Sequence, residues 1–581
     1  MSGLFFGLFL ICLHSLAVGE QFIALDRMEV ECLLLFLALA GLLLSLLEKK
    51  TTPQEPPPVF MGSFWLSLFF AWGALGVFFS VRPEASFPFV AKYITGITLL
   101  LFVHRFLRDL DQVRMLFRIL ALVAVLGGIA SWLLQAAFPQ APGITRNFLF
   151  LNSNFRGTYL LFPLAGLAAL YLTQAANWRK GLTWSLFVLC WAQFGFIGSR
   201  GSYAAAGVVL SVLLWGLFRR NEKREAAGLL LGCVAGWVVF KLVFLLLSSG
   251  GSDATLENSL ARSPLASSLY NRELFWDAAL RIFLDHPLTG SGSWTFSLLF
   301  PHQGLPPFML ENTPPRLASA PHVHNLYLQI LAETGVIGLG LFLVALFYFF
   351  KRLRPVYKSG DFISFHYGLC LIAGMAGFLA HNLIETMWPA PYFIFTVAIW
   401  YGIAAVVAPL SAQPESSPLP VRIWKRLPVP VLLAGAVVLW ITFSYTEKMV
   451  AIKSGNYSIE EQMRLSKEAA GLCPACDFPY LHQAFIFTRK YEATRNPEFK
   501  ERVEQALKNA RSKTRYIPEA LFIEGLLFEL DGDYAKAMGR YLQYYRVGKQ
   551  PERVFESLYR IRQRKRLQNA RTPPSGFNRA E

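Results

Sequence analysis

Thirteen stretches of this sequence are apolar enough and long enough to cross the hydrocarbon core of a bilayer. They lie near residues 3–19, 29–47, 59–80, 89–103, 115–138, 158–175, 182–198, 202–218, 226–247, 325–350, 364–384, 391–408 and 429–444. Nothing else in the chain restricts the fold as strongly. In lipid every backbone N–H and C=O has to be satisfied inside the protein, and for segments of this length that means helices. The predicted fold class is therefore all-α, a polytopic membrane protein of about 12–14 transmembrane helices. A composition with 54% hydrophobic and 16% charged residues agrees.

The formal net charge of +17 would suit nucleic acid, so the placement of the charges decides. They fall between apolar blocks and in the C-terminal region, with no aromatic-interleaved basic tract, which argues against nucleic acid. Alternate connections carry the cations. One set holds Lys49, Lys50, Arg105, Arg108, Arg114, Arg179, Lys180, Arg219, Arg220, Lys223, Arg224, Lys351, Arg352, Arg354, Lys358, Arg422, Lys425 and Arg426. The short connections of the other set hold only Arg27, Arg82, Arg146, Arg156 and Arg200. The positive-inside rule makes the first set cytoplasmic. The N-terminus is then inside, and Ser248 to Pro321 and everything after Phe443 face outward. The first apolar block lacks Lys and Arg in front of it, so it reads as a retained helix rather than a cleaved signal.

Two domains are expected: a membrane domain over 1–444, with 248–321 as a large outward loop, and a soluble helical domain over 445–581. The second holds 25 Lys/Arg and 17 Asp/Glu without a spanning block. Within it "PEALFIEGLLFELDGDYAKAMGRYLQYY" reads as two amphipathic helices joined at Asp531-Gly532-Asp533. Gly525, Phe528, Gly532, Tyr534, Ala537 and Tyr541 resemble tetratricopeptide-repeat positions, while Glu524 and Tyr544 depart from them. A plain helical hairpin is the alternative. Cys473-Pro-Ala-Cys476 lacks a thioredoxin-like context and in an oxidising compartment suits a structural disulfide.

The outward loop is too long and too patterned for a mere connector. "LYNRELFWDAALRIFL", Leu269 to Leu284, has helical apolar spacing with Arg272, Glu273, Asp277 and Arg281 interleaved, as an interfacial helix would. Arg272 then sits at headgroup depth, either facing a phosphate or snorkelling beside a carboxylate. Arg200 interrupts two closely joined spans in "FGFIGSRGSYAAAGVVL", so its guanidinium lies at the outer mouth of the bundle. Its planar fork suits a diphosphate.

"APHVHNLYLQIL", from Ala320, places His322, His324 and Asn325 before an apolar run. With Pro321 in the first helical turn and Ser319 as N-cap, the two histidines would point about 200° apart. They could share one small site only if the helix began after them. That spacing and the lack of a sequence-adjacent carboxylate argue against a metal pair. A helix N-terminus favours neutral imidazole, which can accept a proton. His322 reads equally well as an interfacial cap. Asn152, Asn154 and Arg156 before the sixth span, and His381, Asn382 and Glu385 after the eleventh, could contact sugar hydroxyls or cap helices.

Together these motifs resemble the O-antigen ligase and polymerase superfamily of membrane glycosyltransferases. The similarity rests on "SRG" at Arg200, "NRELFWDAALRIFLDHPLTGSGSWTF", "HNLYLQILAETGVIG" from His324, and "NSN" before the sixth span, where Ser153 replaces the usual proline. It covers roughly 60–408. The resemblance implies a GT-C-like helical architecture and transfer of a glycan from an undecaprenyl-diphosphate carrier to an acceptor hydroxyl. The reaction would occur at the periplasmic face of a bacterial inner membrane, with inversion, no metal and no cofactor. Carried over residue by residue, Arg200 and Arg272 would bind the diphosphate and His324 would be the base. Asn152, Asn154, Arg156, His322, Asn325 and His381 are further candidates for binding substrate.

The acceptor could be lipid A core, a growing glycan or a protein, corresponding to ligase, polymerase and protein O-oligosaccharyltransferase members. The C-terminal helical domain could bind an envelope protein. A transporter of lipid-linked sugars would instead place its polar groups at mid-membrane. A membrane scaffold would leave the arginines and the histidine unexplained.

Overall fold

The computed structural model describes residues 27–47, 61–137, 153–248, 265–303, 322–358, 360–387, 391–407, 423–424, 426–454, 456–547 and 552–571. Among the described residues the regular structure is helical throughout, with no strand. The apolar windows become α1 (Arg27–Leu47), α2 (Met61–Leu75), α3 (Pro83–Phe106), α4 (Leu110–Ala137), α5 (Ser153–Thr173), α6 (Trp178–Ile197), α7 (Arg200–Arg219) and α8 (Lys223–Ser248). After α9 (Leu265–Asp285), the interfacial helix expected in the loop, come α10 (Leu326–Lys358), α11 (Phe362–His381), α12 (Pro391–Val407) and α13 (Pro428–Ser454). Nine helices among the described residues are long and apolar enough to cross a membrane. α1, α6 and α12 fall short in length or hydropathy, and the window at 3–19 lies outside the described residues. The protein is an all-α polytopic membrane protein.

The described residues of 1–76, 88–290 and 322–443 form one compact unit, and those of 77–87, 291–321 and 444–581 another. In the first unit α5 is the most enclosed span. α7 and α11 pack closely because small residues meet larger ones. A Cβ on Gly377 would come within 2.4 Å of Val209, and one on Gly216 within 2.5 Å of Leu369. This seam sets the start of α7 beside the end of α11.

α10 is broken at Gly335, where φ is 69°. The break seats the turn that follows α9. Val336 N–H donates to Pro287 O at 2.9 Å, and a Cβ on Gly335 would lie 2.1 Å from Leu288 O. A Cβ on Gly290 would meet the Glu333 backbone at 2.3 Å. Gly290 of "HPLTGSG" and Gly335 of "ETGVIG" thus let two backbones touch, and the loop carbonyls accept N–H groups freed by the break. The Trp72 indole, from α2, donates to Thr334 O at 2.9 Å on the other side.

In the second unit, α14 (Ile459–Leu472), α15 (Phe478–Thr494), α16 (Pro497–Arg511), α17 (Pro518–Leu530) and α18 (Tyr534–Val547) follow one another through short turns, and α19 (Glu552–Arg571) comes after them in the chain. The hairpin expected at Asp531-Gly532-Asp533 joins α17 to α18, with Gly532 at φ 82° and Gly525 against Tyr541. Cys473 and Cys476 are bridged. The turn 77–87 is stitched into this unit. Arg82 donates to both carboxylate oxygens of Asp477 at 3.3 and 3.0 Å, and Tyr445 O–H donates to Glu84 at 2.7 Å. The piece starting at Ser291 joins them, Val81 N–H donating to Ser291 O at 2.9 Å and Ser86 O–H to Ser293 O at 2.8 Å.

Candidate functional site

The stretch around His324 departs from the helical expectation. α10 starts at Leu326, and its first free N–H groups are capped by Asn325, whose Oδ1 accepts from Leu328 N–H at 3.0 Å. Ser319 and Pro321, the expected cap and first turn, lie outside the described residues. The backbone turns at His324, where φ is 54°, the left-handed region that a residue with a Cβ seldom adopts without a surrounding reason. The reason is a clasp between two chain ends. Leu326 N–H donates to Asn382 O at 2.9 Å, and the Asn325 side-chain amide donates to Leu383 O at 3.0 Å. Because His322 and His324 precede the helix, the separation that helical geometry would impose on them does not arise. Their ring centroids are 4.2 Å apart.

Both histidines face one carboxylate, Glu385, which is 1% exposed. His322 Nε2 lies 3.2 Å and His324 Nδ1 2.9 Å from its Oε1, the second contact close but poorly aligned. The Asn154 amide donates to Oε2. Asn154 Oδ1 in turn accepts from the Ser199 hydroxyl at 2.6 Å, and Ser199 caps α7 at the turn that begins with Arg200. A continuous polar chain therefore runs from the base of Arg200 to His324.

Arg272 enters from α9. Phe275, one turn along from it, stacks on the His324 ring at a centroid distance of 5.8 Å and 22° between planes, so this face of α9 meets the histidine. The Arg272 charge reaches His381. His381 is buried at the end of α11, bonded to Thr158 Oγ1 at 2.5 Å, with the backbone of Gly201 against its ring. Arg200 is exposed at the first position of α7.

The remaining candidates separate. Asn154 is within the network, Asn325 is its backbone clasp and His381 its floor. Arg156 is 2% exposed in the bundle interior, where it donates to Ser131 at 2.9 Å and Gln193 at 3.2 Å. Asn152 lies outside the described residues. Glu385, the hub, carried only a weak signal in the sequence: it follows the eleventh span beside His381 and Asn382, where a helix cap reads equally well. Phe275 and Ser199 stand inside the quoted motifs, with nothing in the sequence to single them out.

Electrostatics keep this cluster polar without a buried net cation. Burial by itself pushes the Glu385 carboxyl up, but the donors on His322 and His324 outweigh it and hold it well below the usual carboxylate range. Burial dominates at His322 and holds its imidazole below 6.5 against the pull of Glu385. A neutral His322 still donates one N–H to the carboxylate. His322, His324 and Glu385 also place one ligand atom each within 4.8 Å of one another, the donor set of a two-histidine, one-carboxylate metal site. The absence of a sequence-adjacent carboxylate is thus no argument against a metal, since Glu385 supplies one across the fold. The contacts of 2.9 and 3.2 Å are themselves of hydrogen-bond length.

Residues 185–343 match the O-antigen ligase family. A Rickettsia typhi protein named as a candidate polysaccharide ligase is 23% identical over 330 residues, covering 55% of this chain and 76% of its own length. Arg200, Arg272 and His324 all fall within the matched segment.

Proposed function

Since residues 185–343 match the O-antigen ligase family, we propose that the protein transfers a glycan from an undecaprenyl-diphosphate carrier to an acceptor hydroxyl at the periplasmic face of a bacterial inner membrane. The observation that carries the reading is His324, with Nδ1 2.9 Å from a carboxylate held ionised and its ring stacked on the helix that bears Arg272. If Nδ1–H is turned to Glu385, Nε2 presents a lone pair. Catalytic contacts of this kind are often loose without substrate and tighten in the complex.

The acceptor hydroxyl attacks the anomeric carbon as His324 Nε2 takes its proton. The bond from that carbon to the diphosphate oxygen breaks with inversion, and undecaprenyl diphosphate leaves carrying the electron pair. A diphosphate is already a good leaving group, so charge neutralisation by Arg200 and Arg272 and removal of one proton suffice. Glu385 is a positioning residue, and Asn154 and Ser199 tie it to the start of α7.

The outward assignment of the reaction side is supported by packing. The turn 77–87, the piece from Ser291 and the C-terminal helices share one unit, as the parity of the charge pattern requires of segments on one side. The α17–α18 hairpin serves, in this reading, as a repeat-like surface for an envelope partner or acceptor. Polar groups gathered at the ends of α7, α10 and α11 favour transfer over transport.

Purified protein in liposomes, given undecaprenyl-diphosphate-linked glycan and lipid A core, glycan or peptide acceptors, should yield product detectable by mass analysis. Product formation by His324→Ala at the wild-type rate would overturn the assignment. Loss of activity on chelation, restored by a divalent cation, would give the His322–His324–Glu385 trio to a metal instead of a proton.

A further inference from the structure

The three helices that bring the site together also enclose a second feature at their opposite ends. Between α7, α10 and α11 lies a groove of about 540 Å³ whose walls include Trp215, Phe347, Phe350 and Leu369, with Lys351 and Arg354 at its edge. Its α7 wall, Val212 to Trp215, begins 12 residues beyond Arg200, or about 18–22 Å along the helix. Its size is within the range of small-ligand pockets, about 300–1,000 Å³.

Spacing places the cations on the same stripe as the aromatic rings. Phe347 and Lys351 are four residues apart, as are Phe350 and Arg354, so an apolar wall runs directly into two positive charges. Phe347 and Trp215 are more than half exposed at 61% and 54%, and both would face acyl chains in a bilayer. A third cation, Arg219, lies over the Trp215 ring at 5.1 Å. The carboxylates close by are engaged elsewhere: Glu222 with His366 at 2.6 Å, and Asp361 with the Ser364 N–H at 2.7 Å. Among the described residues no carboxylate lies within ion-pair distance of Lys351 or Arg354. Snorkelling alone would put cations at helix ends, but it does not require an apolar groove leading into them.

We propose that this groove is a binding site for one anionic phospholipid of the leaflet that the positive-inside rule assigns to the cytoplasm. An acyl chain lies against Trp215, Phe347, Phe350 and Leu369, and the phosphate is held by Lys351 and Arg354. Arg supplies paired N–H donors to phosphate oxygens and Lys a mobile point charge. Basic pockets between transmembrane helices on the cytoplasmic side are suited to such headgroups. The site is independent of the proposed glycan transfer, and its test reads binding rather than turnover.

The full-length protein in neutral detergent is titrated with phosphatidylglycerol or phosphatidylcholine brominated on one acyl chain. Quenching at the groove is the part of the fluorescence loss that a Trp215→Phe variant lacks. Wild type should bind the anionic lipid roughly 25-fold more tightly, about fivefold per cation. Lys351→Gln/Arg354→Gln should bring that ratio to about one while still binding the neutral lipid, and Lys351→Arg/Arg354→Lys should keep most of it. Equal quenching by the two lipids in wild type, or an undiminished ratio in the glutamine variant, would overturn the proposal. If the glutamine variant does not fold, the wild-type ratio and the charge-conserving variant decide.

Discussion

Glu385 and Asp477 are both buried carboxylates that tie distant chain segments together, yet their partners differ in kind. Asp477 meets a permanent cation, Arg82, which donates to both of its oxygens and also reaches Glu519 at 3.4 Å, while Tyr445 closes on neighbouring Glu84. The Arg82 guanidinium is spent on these carboxylates, and its charge does not change with pH. Glu385 instead meets two imidazoles and an amide, groups that hold a carboxylate without neutralising it. Each imidazole keeps a second nitrogen, and that of His324 is the one available for a proton. A carboxylate held by a permanent cation joins segments, whereas a carboxylate fed by titratable donors can do chemistry.

Substitutions should separate these two behaviours. The largest effect is expected for His324→Ala, a loss of about 10²–10⁴-fold in transfer rate with thermal unfolding almost unchanged, since one general base contributes on that scale. Arg82→Ala should do the reverse. It leaves Asp477 buried and unpaired, at a cost of about 3–5 kcal/mol to the C-terminal unit. Proteolysis of 456–547 should report this, while the rate per intact molecule stays the same. Adding Asp477→Asn should recover part of the loss, because no buried charge is then stranded. If Arg82→Ala left protease resistance intact, the cluster would not be what joins the turn 77–87 to these helices.

Glu385→Gln is the intermediate case. The amide oxygen can still accept one N–H, but the charge that orients His324 is gone, so a fall of about 10–100-fold in rate is expected, the scale for a residue that orients another. Glu385→Asp should recover part of it. A merely structural Glu385 would lose stability in proportion to rate in both variants, and a rate unchanged by Gln would remove it from the mechanism.

These assignments were unequally legible in the sequence. Hydropathy located the spans because bilayer thickness imposes a length that no other constraint obscures. Arg200, Arg272 and His324 stood out as polar groups in costly places. The start of α10 did not, since Ser319 and Asn325 are both sound caps by chemistry and only the clasp onto Asn382 and Leu383 selects the second. Glu385 is separated from His324 by 61 residues and approaches it only because α10 and α11 are antiparallel neighbours. Arg156 looked like an outer-edge residue from its place beside Asn154. Two residues of helix, about 200°, turn it inward instead, to Ser131 and Gln193. The pairing of Gly290 with Gly335 is likewise invisible in a string, because what matters is the backbone each lets approach.

The smallest effect distinguishes the clusters by acid. His322 is held below 6.5 by burial, so as pH falls through 6.5 the unfolded chain takes up a proton that the native chain refuses, and stability declines. Glu385 is held well below 4.5, so its contribution is complete above 4.5 and is lost as pH falls through its own lower value. The two act in the same direction, each by about 1.4 kcal/mol for every tenfold difference in proton affinity between the folded and unfolded chain. Asp477 has the opposite sign. Burial pushes its carboxyl above 3.8 despite Arg82, so its contribution is favoured in acid and lost as pH rises. His482, also held low by burial, would add a loss of the same sign to 477–490, so the comparison is made in a His482→Gln variant. Between pH 6.5 and 4.5, hydrogen exchange corrected for intrinsic rates should then show 322–330 losing protection while 477–490 holds. Loss of protection in 477–490 first, or in both segments together, would mean that the two carboxylates are not held by different physics.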